Sequence, residues 1–150
     1  MDQLLLTPID HVAGEVRLPG SKSLSNRALL LSSLATGTTR LHNLLHSDDT
    51  DRMLEALRQM HVAVDVNEDG TDCTVTGLGE LFTPPNETKF SLGNAGTAIR
   101  PLTSMLSLCH GTFIIDGDDY MRERPIDHLV DALRQLGADV QYLGKPGCPP

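Results

Sequence analysis

The sequence predicts an α/β fold in which a β-α-β-α-β-β unit is used about twice. Three observations carry this. The chain matches itself, so that the run from Gly20 (GSKSLSNRAL) aligns with the run from Gly93 (GNAGTAIRPL), and ALRQM from Ala56 aligns with ALRQL from Ala132. Within each copy, helical and alternating apolar patterns take turns, as in α/β proteins. The chain has 150 residues and is 39% hydrophobic, enough for one domain with a real core.

Residues 1–19 are expected to form an opening strand, centred on 4–8. The first repeat unit is assigned to 20–91 and the second, incomplete unit to 92–150. Each copy opens with a small-residue loop and a helix, at 25–35 and 97–108. Gly37-Thr38 and Gly111-Thr112 then turn the chain into short strands at 39–44 and 112–116. Amphipathic helices follow at 51–60 and 126–136. Met53, Leu54, Leu57 and Met60 share one face, as do Leu129, Val130, Leu133 and Leu136. Asp48, Asp49 and Asp51 stand where caps and helix-dipole partners belong. Strands at 62–66 and 73–77 close the first unit around a Glu68-Asp69-Gly70-Thr71 turn. A strand at 138–143 is expected in the second unit, without a paired closing strand. Pro84-Pro85-Asn86 marks the linker between copies. The chain therefore reads as part of something longer.

Composition removes several functions. Aromatic residues make up 3% and Trp is absent, which disfavours base stacking. A net charge of −8 argues against a nucleic-acid partner. Cys73, Cys109 and Cys148 lie far apart without a CxxC pair, as in a reduced, cytoplasmic protein. No apolar run approaches membrane-spanning length and no basic leader is seen, so no membrane partner is expected. His42 and His46 are four apart, but on a strand and its following loop rather than one helix face, so no metal site is expected.

The two helix mouths carry the chemistry. A helix N-terminus offers free N–H groups and partial positive charge, and small residues let a ligand reach the backbone. The first mouth adds Lys22 and Arg27, with hydroxyls on Ser21, Ser23 and Ser25. Cations there oppose the helix dipole, a cost that an anionic ligand relieves. The second mouth has Asn94, Gly96 and Thr97. A third basic cluster, Arg122 and Arg124, precedes Pro125, a residue suited to a first helical turn. Asp118, Asp119 and Glu123 are expected to cap or to pair with those arginines. Neither G-x-x-x-x-G-K-[ST] nor G-x-G-x-x-G occurs, so nucleotide binding is not supported.

Three stretches together resemble the 5-enolpyruvylshikimate-3-phosphate synthase family in its bacterial form: LPGSKSLSNRA from Leu18, LGNAGTAIRPL from Leu92, and RERPIDHLVDAL from Arg122. The resemblance runs along nearly the whole chain. It implies the inside-out α/β barrel of enolpyruvyltransferases, with three such units per domain, two domains, and a substrate cleft between them. The implied reaction moves the enolpyruvyl group of phosphoenolpyruvate onto the 5-hydroxyl of shikimate 3-phosphate, with no metal or organic cofactor. By position, Lys22 is implied as the catalytic cation shared by both substrates. Ser23 and Arg27 are implied as ligands of shikimate 3-phosphate. Asn94, Gly96 and Arg124 are implied at phosphoenolpyruvate, in the pocket that the inhibitor glyphosate shares. The acid–base groups are expected in the remaining, C-terminal part of such an enzyme, so this chain is expected to be inactive alone. Two other readings compete. One is the sister enolpyruvyltransferase acting on UDP-N-acetylglucosamine, whose Lys-Asn pair is replaced here by Lys22-Ser23. The other is a stand-alone anion-binding module without catalysis.

Overall fold

The computed structural model describes residues 3–150. Its regular elements in chain order are α1 (Lys22–Leu34), β1 (Thr36–Leu41), α2 (Asp48–Gln59), β2 (Ala63–Val66), β3 (Cys73–Leu78), β4 (Thr88–Ser91), α3 (Gly96–Leu106), β5 (Phe113–Asp116), a 3-10 turn (Met121–Glu123) and α4 (Asp127–Gln135). The mixed α/β class and the alternation of elements agree with the sequence.

Two small sheets result. β3 lies between β1 and β2 and is antiparallel to both. β4 and β5 pair in parallel, with Thr88 opposite Phe113 and Ser91 opposite Asp116. The connection from β4 through α3 to β5 is thus a β-α-β crossover, the usual way to join parallel neighbours. One core joins both copies. It contains Leu29 of α1, Met53 and Leu57 of α2, Val75 of β3, Phe90 of β4, and Ile99 and Leu102 of α3.

The helices form where the sequence offers both a start signal and an apolar face. α1 begins three residues before the expected position, because Ser21 is its N-cap and accepts from the Leu24 N–H. Lys22 and Ser23 therefore belong to the first helical turn rather than to the preceding loop. α2 is capped by Ser47 in a reciprocal arrangement with Thr50. Asp48, Asp49 and Asp51 fill its first turn, where the helix dipole favours them. Its expected apolar face is buried at all four positions, Met53, Leu54, Leu57 and Met60. In α4 the expected face is only partly used. Val130 and Leu133 are buried, but Leu136 is the C-cap residue and is 84% exposed.

Four expectations need correction. The opening strand at 4–8 is not formed: residues 3–19 contain no helix or strand, and Leu4, Leu5, Leu6 and Ile9 stand exposed. The first two residues of the 1–19 segment lie outside the described residues. The strand at 138–143 is also absent. Both segments have strand-forming side chains but no sheet edge bonded to them, and an unpaired strand has no hydrogen bonds to hold it. Conversely, Thr88–Ser91 is a strand that the sequence reading leaves inside the first unit without an assignment. It precedes α3 and so opens the second unit. The Gly37-Thr38 turn is absorbed into β1, with Gly37 paired to Gly77.

Candidate functional site

The N-termini of α1, α2 and α3 lie together, linked by a continuous polar chain. Lys22 Nζ lies 3.4 Å from Oδ1 of Asp49 in the first turn of α2. The Thr97 hydroxyl, in the first turn of α3, donates to Oδ2 of Asp49 at 3.0 Å. Asn26 of α1 donates to the Thr97 hydroxyl oxygen at 2.8 Å. Mouth one and mouth two, separate in the sequence, are thus joined by one carboxylate.

Close backbone contact fixes this geometry. A Cβ on Gly20, just before α1, would lie 2.1 Å from the Asn43 carbonyl oxygen and 2.6 Å from the Leu45 nitrogen. Only hydrogen fits there, and the segment entering α2 is held against the mouth of α1. The buried Ser25 hydroxyl reinforces it by accepting from the Leu45 N–H at 3.0 Å. In the second copy the Asp118 N–H donates to the Gly93 carbonyl at 3.1 Å, which ties the segment after β5 to the loop before α3. The ends of parallel β4 and β5 deliver these loops, as at the carboxyl ends of strands in other α/β proteins.

Around Gly96 the site is cationic. A methyl group there would meet Arg124 Nη1 at 2.9 Å and Arg100 Nη1 at 3.7 Å. Arg100 donates to the Pro125 carbonyl at 3.0 Å, which holds the loop carrying Arg124 beside α3. No side chain caps α3, since Ala95 occupies its N-cap. Two guanidiniums therefore meet at the first residue of α3.

The two arginines of the third cluster part company. Arg122 pairs with Asp116 at 2.7 Å and Asp119 at 3.3 Å. The side-chain hydrogen bond from Arg122 holds the Asp116 carboxyl below its usual range, and burial opposes that shift. Asp118 accepts from the Met121 N–H at 2.8 Å and caps the 3-10 turn. Glu123 pairs with Lys145. The expectation that Arg124 would join these acids is overturned. Among the described residues it has no carboxylate partner, because its own loop turns it toward Gly96.

Each expected site residue can now be placed. Lys22 is exposed at the first mouth and bound to Asp49. Ser23 is half-buried beside it, and Arg27 follows one turn along on the exposed side. Gly96 and Arg124 are in contact range. Asn94 sits in the loop before α3; its carbonyl accepts from the Gly96 N–H at 2.9 Å, and its buried Oδ1 has no partner. Asp49, Asn26 and Arg100 are the residues that sequence reading did not place in the site. Asp49 had a readable signal: Ser47 already caps α2, so three acids behind it exceed what a cap needs. Arg100 had one too, since it aligns with Arg27 in the repeat.

Other candidates lie elsewhere. His42 pairs with Asp72 and His46 with Asp51, so they go to different carboxylates. Among the described residues no three His, Cys, Asp or Glu side chains gather as metal ligands, and no helix is long and apolar enough to cross a membrane. A groove of about 500 Å³ runs beside β5, lined by residues such as Ile99, Leu106, Phe113, Val130 and Val140. None of the six expected site residues lines it.

These features define a repeat-built α/β protein whose charged and polar groups converge on the N-termini of three helices. The EPSP synthase (3-phosphoshikimate 1-carboxyvinyltransferase) family profile matches residues 6–150, and the chain belongs to that family. It is 57% identical over 150 residues to the 3-phosphoshikimate 1-carboxyvinyltransferase of Aeromonas salmonicida, covering all of this chain and 35% of that protein. It is 54% identical to the enzyme of the same name from a Sulfurovum species, again over 100% of this chain and 35% of the other. The EPSP synthase structure from Acinetobacter baumannii superposes with a TM-score of 0.81 at 32% identity, covering 91% of this chain and 31% of that one. The chain spans about a third of the length of these relatives.

Proposed function

We propose that this chain supplies one wall of the substrate site of a 3-phosphoshikimate 1-carboxyvinyltransferase. The carrying observation is the convergence of Lys22, Arg124 and three helix N-termini, bridged by Asp49 and Thr97. In this reading phosphoenolpyruvate lies across the mouth of α3, against the backbone at Gly96, between Lys22 and Arg124. Shikimate 3-phosphate takes Ser23 and Arg27 on the exposed side of α1, and shares Lys22. Asn94 supports the loop at Gly96. Glyphosate competes for the phosphoenolpyruvate position. The name that the relatives share, 3-phosphoshikimate 1-carboxyvinyltransferase, and the family match support the choice of substrates.

The chemistry of such a transfer suits these groups. Both substrates are anions. Attack of the 5-hydroxyl on the enolpyruvyl carbon, with loss of the hydroxyl proton and protonation of the methylene, gives a tetrahedral intermediate; loss of phosphate and of a proton from the new methyl group then restores the enol ether. Fixed cations and helix dipoles stabilise that charge as it moves, and holding two substrates together removes much of the entropic barrier. Proton transfer to carbon is assigned to the remainder of the enzyme. A cytoplasmic location, where phosphoenolpyruvate is available, belongs to the same reading.

Titrating phosphoenolpyruvate and shikimate 3-phosphate separately into the chain, followed by amide NMR shifts, tests it. The expected result is movement at Lys22, Ser23, Gly96 and Thr97. Shifts confined to the groove beside β5, or none at saturating ligand, would contradict it.

A further inference from the structure

Asn26 is fully buried in α1, and the protons in its network have fixed directions. A carboxylate only accepts, so the Thr97 hydroxyl donates its one proton to Asp49. The Thr97 oxygen can then only accept from Asn26, so the amide must turn its NH2 toward Thr97. This orientation leaves Asn26 Oδ1 buried without any donor. A leucine would fill similar space with no unsatisfied polar atom. Packing alone therefore does not account for an asparagine here.

The network has a mobile end. Asp49 Oδ1 holds Lys22 at 3.4 Å, and Lys22 is the exposed cation of the first mouth. An anion arriving there competes with Asp49 for Lys22. When Asp49 also accepts from Thr97, part of its charge is already satisfied, and its hold on Lys22 is weaker. Without the Asn26 donor, nothing fixes the direction of the Thr97 hydroxyl, and it is free to turn away from Asp49. Asp49 then has Lys22 alone.

We propose that Asn26 is a positioning residue: its amide aims the Thr97 hydroxyl at Asp49 and so keeps Lys22 exchangeable between Asp49 and a phosphate-bearing ligand. This rests on the reading of the helix mouths as an anion site.

The test uses the chain itself with inorganic phosphate as the probe. Asn26→Leu is expected to raise the phosphate Kd about tenfold, the effect of losing one hydrogen bond to a charged group. In an Asp49→Asn background the same substitution should change Kd less than about twofold, because the network then has no charged end to control. Thr97→Ser, which keeps the hydroxyl, should bind like the unmutated chain, whereas Thr97→Val should weaken binding as Asn26→Leu does. An unchanged Kd in Asn26→Leu, or an equal loss with and without Asp49, would overturn the proposal. If Asn26→Leu does not fold, the side-chain amide NMR signals of Asn26 decide. They should move when Asp49 becomes Asn, although the two residues do not touch, and static signals would overturn the proposal. Absence of phosphate binding by the unmutated chain would instead contradict the anion-site reading, while moving Asn26 signals would still support the positioning network.

Discussion

Gly96 and Arg124 stand in direct apposition: a methyl group on Gly96 would lie 2.9 Å from the Arg124 Nη1. Such a contact is too close, so the guanidinium must move. Gly96→Ala therefore changes the site in two ways, by covering the backbone at the mouth of α3 and by displacing its cation. In a full-length enzyme carrying this segment, it should weaken phosphoenolpyruvate and glyphosate together, with KM for phosphoenolpyruvate raised about tenfold or more. Shikimate 3-phosphate should be affected less. Steady-state kinetics with each substrate varied checks this, and unchanged KM and inhibition would refute it.

Lys22→Ala in the same full-length enzyme should lower kcat/KM by about a hundredfold or more, the size expected for a charge aimed at the reacting phosphate in a closed site. Lys22→Arg should recover little. The guanidinium is a planar fork and cannot replace a compact ammonium held by one oxygen of Asp49. Turnover assays on the two variants measure this.

Gly20→Ala should destabilise the chain, since its Cβ would lie 2.1 Å from a backbone oxygen that has no room to retreat. A loss of about 2 kcal/mol or more is expected, in the range of severe overpacking. Urea unfolding checks it. Gly144→Ala is the control for added bulk, as its Cβ would meet only Pro150 Cδ at 3.6 Å, an ordinary contact.

Acid should loosen the segment after β5 first. Arg122 holds the Asp116 carboxyl below its usual range, so this pair contributes stability above the unfolded-state value near pH 4, and that contribution fades as pH falls through the lower folded value. Arg122→Ala should flatten the pH dependence of stability below about pH 4. Thermal unfolding of both chains between pH 3 and pH 6 tests the sign.

Burial pushes the Cys73 and Cys109 thiols up. Their thiolates are scarce at neutral pH, so both should alkylate about tenfold more slowly in the folded chain than in urea. Mass spectrometry after timed iodoacetamide treatment resolves the two sites.

The sequence shows the repeat, both helix mouths and the apolar face of α2 because each is a local pattern. Met53 and Leu57 announce their burial by helical spacing, and Lys22 and Gly96 announce their place at a helix mouth by unusual neighbours. Contacts across copies are another matter. Asn26 meets Thr97 across 71 positions, and nothing in the local pattern of either residue reports it. The excess of acids behind the Ser47 cap is legible, but Asp49 has the same appearance as Asp48 and Asp51 in that turn, and only the packing of three helices shows which of them is in the site. Strands depend on partners in the same way. Residues 138–143 have the side chains of a strand and no bonded neighbour, while Thr88–Ser91 is short and unpatterned yet forms against β5. Arg122 and Arg124 differ by two positions, and the turn between them sends one to Asp116 and the other to Gly96.

The central claim is that this chain is one wall of a two-walled site. It is tested most directly by phosphate release from phosphoenolpyruvate and shikimate 3-phosphate, measured for the purified chain with and without a polypeptide supplying the rest of a relative such as the Aeromonas salmonicida enzyme. The account predicts no turnover by the chain alone and turnover that appears on mixing, is inhibited by glyphosate, and is lost in the Lys22→Ala chain. Sustained turnover by the isolated chain would contradict it.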